Sequence, residues 1–283
     1  MAVVFLTFFR ITIILCLTSC LSACANMLFY PSNVMVRTPG DVGVQYEDVY
    51  FHSGDNTLLH GWYLPAVGKA KGSVLFVHGN AENISTHLGS VYWLPSKGYN
   101  VFLFDYRGYG LSQGTPSLEG AVADVKAALK TLLQRTSGHN ESIIVFGQSL
   151  GGALAIYGMA TSKLNGSINA LIVESTFASY RKIAQDKFAS FILTRPFQWP
   201  LSLLIPDDFS PIRIIHQLPH IPLLVIHGDA DQIVPIEHGR ALYEAAGQPK
   251  EFWEIPNGRH TQAFQIEAYR EKLLLYLQKV LSK

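Results

Sequence analysis

A serine hydroxyl is a poor nucleophile at neutral pH and becomes a useful one beside a base that a carboxylate orients. This 283-residue chain supplies those residue types in three places. Gly147-Gln148-Ser149-Leu150-Gly151 has the form G-x-S-x-G, follows directly on the apolar run Ile143 to Phe146, and opens into the small residues Gly152, Ala153 and Ala155. That is the strand, sharp turn and helix context in which a serine Oγ projects above a sheet, the glycines leaving room for the turn. His227-Gly228-Asp229-Ala230-Asp231 presents two carboxylates after the apolar run Leu223 to Ile226, and His260 follows Asn257-Gly258-Arg259 beyond the run Glu251 to Ile255. Nucleophile, acid and base therefore fall in loops past the carboxyl ends of strands, where sites form in open α/β sheets. The chemistry such a set performs is attack on a carbonyl carbon.

The elements that would position these loops can be read from hydrophobic pattern. Five short, nearly continuous apolar runs, Ser73 to Val77, Val101 to Phe104, Ile143 to Phe146, Leu171 to Val173 and Leu223 to Ile226, fit strands buried on both faces. Between them Leu118, Val122, Val125, Leu129 and Leu132 recur at helical spacing after Thr115-Pro116, read as N-cap and first-turn proline. A second helix is expected from Ile266 to Val280. Val44 to Phe51 and Leu58 to Leu64 alternate around Gly54-Asp55-Asn56 and read as an antiparallel hairpin at a sheet edge. The order gives an α/β class: a doubly wound, mostly parallel sheet. The stretch 176–221 is longer than one crossover needs and carries Phe188, Phe191, Phe197, Trp199 and Leu203. A small helical lid and a long crossover packed on the sheet fit it equally.

Composition narrows the function classes. With 48% hydrophobic and 15% charged residues the chain can bury a sizeable core, and 22 Lys and Arg against 21 Asp and Glu leave no electrostatic footprint for nucleic acid. Residues 1–23 contain no acid and one base, Arg10, with an apolar stretch Ile11 to Leu21 that is short for a hydrocarbon core of ~30 Å but suits a secretory signal. All three cysteines, Cys16, Cys20 and Cys24, lie at this end, so the body has no disulfide, thiolate metal site or cysteine nucleophile. Leu21-Ser22-Ala23-Cys24 resembles the lipobox of bacterial lipoprotein signals, with Leu17-Thr18-Ser19-Cys20 a poorer match. The resemblance implies acylation of Cys24 and attachment to a membrane outside the cytoplasm. Ala25 in place of Asp implies the outer membrane in a cell that has two. Residues 24–43 then form a tether, with Leu28-Phe29-Tyr30 able to dock on a domain spanning 44–283. No H-E-x-x-H, carboxylate cluster or phosphate-binding loop appears, so no metal and no cofactor is expected.

Taken in order, H-G-N-A at His78 to Ala81, D-Y-R-G-Y-G at Asp105 to Gly110, G-x-S-x-G at Gly147 to Gly151, H-G-x-x-D at His227 to Asp231 and G-x-H at Gly258 to His260 resemble the serine hydrolases of the α/β-hydrolase superfamily. The branch they are similar to is that of the serine-aminopeptidase-like and depalmitoylating hydrolases. The resemblance covers about residues 45 to 283. It implies Ser149 as nucleophile, His260 as base and Asp231, rather than Asp229, as acid, Asp229 being left to stabilise the turn through its side chain. Glu174, at the end of the fourth parallel run, is the competing acid; a structural hydrogen-bonding role suits it better. The backbone N–H groups of Leu150 and Asn80 are implied as the oxyanion hole, a role that makes Asn80→Ala a mild change unless the amide side chain also binds substrate. His78 is expected to hold its loop, and Asp105 and Arg107 to shape the rim. The implied activity is hydrolysis of a carboxylic ester or thioester on a small or acylated substrate through an acyl-enzyme. An amidase or peptidase with the same triad, acyl transfer to an alcohol, and a non-catalytic binding module remain alternatives. Oligomeric state is not legible.

Overall fold

A computed structural model describes residues 29–138, 141–218 and 220–282. Residues 1–23, expected to be a secretory signal, and Cys24 lie outside them. Eight strands form one sheet in the order β1-β2-β4-β3-β5-β6-β7-β8. The edge is the antiparallel hairpin β1 (Glu47–His52) and β2 (Leu58–Leu64), and β2 also runs antiparallel to β4 (Tyr99–Phe104). The remaining pairs, through β3 (Gly72–Val77), β5 (Ile143–Gln148), β6 (Ala170–Glu174), β7 (Leu223–Gly228) and β8 (Lys250–Ile255), are parallel. Every residue of β3 to β7 is buried. Continuous apolar runs are what a strand covered on both faces requires.

Because side chains alternate along a strand, each one feeds two cores. Leu75, Val77, Val145, Val173 and Val225 pack with Val125 and Leu129 of α2 (Leu118–Arg135), with α3 (Leu150–Ala160) and with Leu242 of α6 (Ile236–Ala245). Val74, Phe76, Ile144, Phe146 and Leu224 pack on the opposite face against Leu273, Tyr276 and Leu277 of α7 (Glu267–Leu281). A one-turn helix α1 (Ile84–His87) follows β3, capped by Asn83, whose Oδ1 accepts from Ser85 N.

Two local readings shift. The cap of α2 is Ser117, whose Oγ accepts from Gly120 N at 3.1 Å, two residues beyond Thr115. Pro116 instead packs on Gly108, where a Cβ would meet its Cδ at 2.5 Å. The hairpin begins at Glu47, because a 3₁₀ turn over Pro39–Val42 ends at Gly43 in the left-handed conformation.

Both expectations for 176–221 hold part of the truth. After β6, α4 (Tyr180–Ser190) buries Tyr180, the short α5 (Gln198–Ser202) follows, and the returning chain buries Ile214, Ile215 and Leu218 on the core. Between these packed ends, Phe191, Ile192 and Leu193 stand exposed. Among the described residues, no helix is long and apolar enough to cross a membrane, and no group of three or more His, Cys, Asp or Glu could hold a metal ion.

Candidate active site

Ser149 joins β5 to α3 with φ 52° and ψ −119°, a left-handed backbone that costs a non-glycine residue of order 1–3 kcal/mol and persists only where its surroundings over-determine it. They do so here. Ser149 N donates to Glu174 O at 2.9 Å, and α3 sits so close to β3 that a Cβ on Gly151 would lie 2.1 Å from Val77 O. Ala81, Glu82, Ser175 and Thr261 also have positive φ, and all belong to loops around this elbow. Strain is collected where the sheet ends.

Asp231 is 7% exposed and both oxygens of its carboxylate accept hydrogen bonds. Its Oδ1 accepts from Ile233 N at 2.8 Å and Val234 N at 2.9 Å, and its Oδ2 accepts from His260 Nδ1 at 2.8 Å. Burial alone would raise its pKa, but the His260 hydrogen bond and charge, with the two backbone donors, outweigh it and hold the acid below its ordinary value. An ionised Asp231 fixes the tautomer that leaves His260 Nε2 free to accept a proton. The two loops are zipped together: Ala230 N donates to Gly258 O and Asp229 N to Ile255 O. Asp229 itself is exposed and, among the described residues, its carboxylate makes no hydrogen bond. The side-chain turn bond expected of it is absent because backbone groups and Asp231 already hold the turn.

Glu174 is fully buried and has a different task. Its Oε2 accepts from Gln148 Nε2 at 2.6 Å and its Oε1 from Ala263 N at 2.9 Å, while Ser175 Oγ accepts from Thr261 N at 3.1 Å. Desolvation raises its pKa. It braces the His260 loop against the elbow and makes no bond to a histidine. His227 is likewise structural: Nε2 lies 2.8 Å from Val234 O, against 3.6 Å from Asp231 Oδ2, and burial lowers its pKa.

Leu150 is the first residue of α3, where backbone N–H groups lack intrahelical acceptors, and it lines one cleft together with Asn80 and Ser149. The side chain of Asn80 is far from idle. Its Oδ1 accepts from Tyr30 N at 2.9 Å, Ala81 N at 2.8 Å and Tyr109 Oη at 2.8 Å, so it knots the N-terminal tether to the loop. This corrects the expectation that Asn80→Ala is mild. His78 is fully buried beneath, Nδ1 donating to Gly79 O at 2.7 Å, its ring 4.3 Å from Tyr106 and its pKa held low by desolvation.

Asp105 and Arg107 do not shape the rim. Asp105 is buried, accepts from Ile84 N at 2.9 Å, and is pushed up to about 7 by desolvation. Arg107 bonds Asp124 of α2 at 2.7 Å and Asp55 of the hairpin turn at 2.7 Å, clamping the sheet edge.

The cleft above Ser149 has a volume of about 360 Å³ and is walled by Phe177, Tyr180, Ile183, Phe188 and Ile205 from the lid segment, with Ile233, Val234 and Tyr30 opposite. A second, more polar cleft of about 320 Å³ is lined by Glu82, His87, Ser90, Thr261 and Gln265. The sequence reading passed over Tyr30 in the cleft, Tyr109 on Asn80, and the Gln148–Glu174 brace. The one local signal for the first was its place in the apolar Leu28-Phe29-Tyr30.

An eight-stranded, mostly parallel sheet with an elbow serine after its fifth strand and an acid–histidine pair beyond the seventh and eighth defines an α/β-hydrolase. The family model described as serine aminopeptidase, S33, matches residues 68–207. The chain is 35% identical to the uncharacterized protein YfhR of Salmonella typhi, over 97% of this chain and 95% of that one. It is also 35% identical to the α/β hydrolase domain-containing protein WAV2 of Arabidopsis thaliana, over 86% and 82%. The esterase Pf2001 of Pyrococcus furiosus superposes with a TM-score of 0.72 at 25% identity, covering 90% of this chain and 98% of that one. The chain belongs to the α/β-hydrolase family.

Proposed function

We propose that the protein is a serine hydrolase that cleaves carboxylic esters or thioesters through an acyl-enzyme, and that lipid on Cys24 anchors it to a membrane outside the cytoplasm. The observation that carries the catalytic reading is the 2.8 Å bond from His260 Nδ1 to a buried Asp231, in loops braced against the strained Ser149 elbow. In the first step Ser149 Oγ attacks the carbonyl carbon as His260 Nε2 takes its proton, with the oxyanion held by the N–H groups of Leu150 and Asn80. Collapse of the intermediate expels the leaving group, to which His260 returns the proton. Water then attacks the acyl-enzyme with His260 again as base, releasing the acid and restoring Ser149.

The apolar cleft suits an acyl chain, and the polar cleft beside Thr261 suits the departing group. An aminopeptidase needs a carboxylate for the substrate's free ammonium. Among the described residues lining the cleft above Ser149, the charged one is Lys187, a cation, which favours an ester or thioester. The esterase activity named for the Pyrococcus relative fits the same choice. Turnover of p-nitrophenyl and acyl-thiol substrates beside an aminoacyl-nitroanilide tests it. Ester or thioester cleavage lost in Ser149→Ala is expected, and cleavage of the nitroanilide alone would replace the reading with an aminopeptidase.

A further inference from the structure

The lid carries more apolar surface than the cleft uses. Phe191, Ile192, Leu193, Phe197, Trp199 and Leu203 are exposed, Ile192 and Leu193 at 86% and 84%. An apolar group of this kind on a water-facing surface marks something it docks against. The segment leading into it is basic: over residues 180–195 stand Arg181, Lys182, Lys187 and Arg195 against one acid, Asp186, already bonded to Lys182 and His238, although Arg181 buries its Nε and Asp207 and Asp208 follow the tip.

The position of the N-terminal end says what lies opposite. Phe29 is buried with its ring edge-on to Tyr109, and Tyr30 lines the same cleft as Ile183 and Phe188 of α4. Cys24 precedes Phe29 by five residues, a span of at most ~18 Å however the chain runs. A domain of this size is roughly 40 Å across. Lipid on Cys24 therefore confines the bilayer to the side of the protein on which the cleft opens.

We propose that the lid tip, residues 191–204, seats in the surface of an anionic phospholipid bilayer, so that the cleft draws its acyl ester from the membrane. This rests on the anchored-hydrolase reading above. Trp199 and the aliphatic side chains sit at the headgroup boundary, and the exposed heads of Lys182 and Arg195 reach anionic phosphates while their stems lie along apolar surface. The substrate class becomes a bilayer-resident acyl ester or thioester.

The chain carries its own reporter. Of four tryptophans, Trp62, Trp93 and Trp253 are 2%, 5% and 6% exposed, and Trp199 is 67% exposed. The experiment reconstitutes the full lipidated protein in vesicles of phosphatidylglycerol with dibrominated or plain phosphatidylcholine. Bromine is expected to quench the emission of Trp199, an effect lost in Trp199→Phe and in Ile192→Asp/Leu193→Asp. The double variant should lose about tenfold in turnover of a vesicle-borne long-chain ester, while turnover of a short soluble ester stays unchanged. Absence of Trp199-dependent quenching in protein that floats with the vesicles and cleaves the soluble ester overturns the docked lid and leaves the hydrolase standing. A blue shift of Trp199 that follows protein concentration without quenching assigns the tip to a second copy and overturns it as well. Quenching is read without turnover, so a protein that quenches but shows no Ser149-dependent cleavage retains the docking and loses the hydrolase.

Discussion

Glu174, beneath the Ser149 and His260 loops, is fully buried and both its oxygens are bonded; Ile192, on the lid, is 86% exposed. The same contrast runs through the two regions. Around Ser149, positive φ at Ala81, Glu82, Ser175 and Thr261 is held by close approaches such as that of Gly151 to Val77 O. Across 191–204 the chain turns through short helices with little buried surface. The Ser149, Asp231 and His260 loops sit on sheet ends held by packing and hydrogen bonds, and the lid tip sits on a segment with little to hold it. The division predicts two kinds of mutant.

At the floor, Ser149→Ala and His260→Ala should each lower kcat/KM by ~10⁴- to 10⁶-fold on the same ester, with the melting temperature unchanged in Ser149→Ala and lowered in His260→Ala, which removes a hydrogen bond from the buried Asp231. A melting loss in Ser149→Ala with turnover retained would mean that its side chain holds the loops together rather than reacts. Gly151→Ala should cost on the order of 3 kcal/mol or more, because the new methyl meets backbone rather than a mobile side chain, whereas Ile192→Ala should change stability by less than about 0.5 kcal/mol. Urea unfolding of the pair tests the contrast directly, and equal midpoints would erase it.

Asn80→Ala lies between the extremes. Removing an acceptor shared by Tyr30 N, Ala81 N and Tyr109 Oη should cost on the order of 2 kcal/mol and lower kcat more than it raises KM, since the oxyanion donor moves with the loop. Steady-state kinetics with unchanged kcat would restore the simpler view of Asn80 as a backbone donor alone. In the cleft wall, Ile183→Ala and Phe177→Ala should shift preference toward longer acyl chains by several-fold, each removed group leaving room for about one to three methylenes. A chain-length profile identical to wild type would place the acyl group elsewhere.

A separate effect concerns pH. Asp105 is pushed up to about 7 by burial, above its ordinary 3.8. Between those values the folded protein keeps a proton that the unfolded chain has released, so stability falls as pH rises from about 4 to 7 and levels off above. Asp105→Asn keeps the acceptor for Ile84 N and removes the titration. Its melting temperature should match wild type near pH 4 and exceed it at pH 8, and parallel curves would contradict the burial argument.

Much of this was legible in the residues. Ser73 to Val77 and Leu223 to Ile226 read as buried strands because their apolar runs suit a sheet covered on both faces; Ser149 and His260 stood out because each follows a strand-like run, and Asp231 was separated from Asp229 by the H-G-x-x-D resemblance. What escaped notice was contact across long separations. Tyr30 and Tyr109 meet on Asn80 from 50 and 29 residues away, and Glu174 reaches Ala263 across 89. No periodicity records such bonds; tertiary packing makes them. Asp105 and Arg107 were misplaced for the same reason, since their partners Ile84, Asp124 and Asp55 become neighbours when the sheet closes.

The most direct measurement is labelling of the full chain with a fluorophosphonate probe, which reacts with a serine hydroxyl activated by a neighbouring base. Labelling of wild type at Ser149, absent from Ser149→Ala and His260→Ala, is the predicted result. A well-folded wild type that takes up no probe, or labelling that survives His260→Ala unchanged, would contradict a Ser149 nucleophile driven by the Asp231–His260 pair.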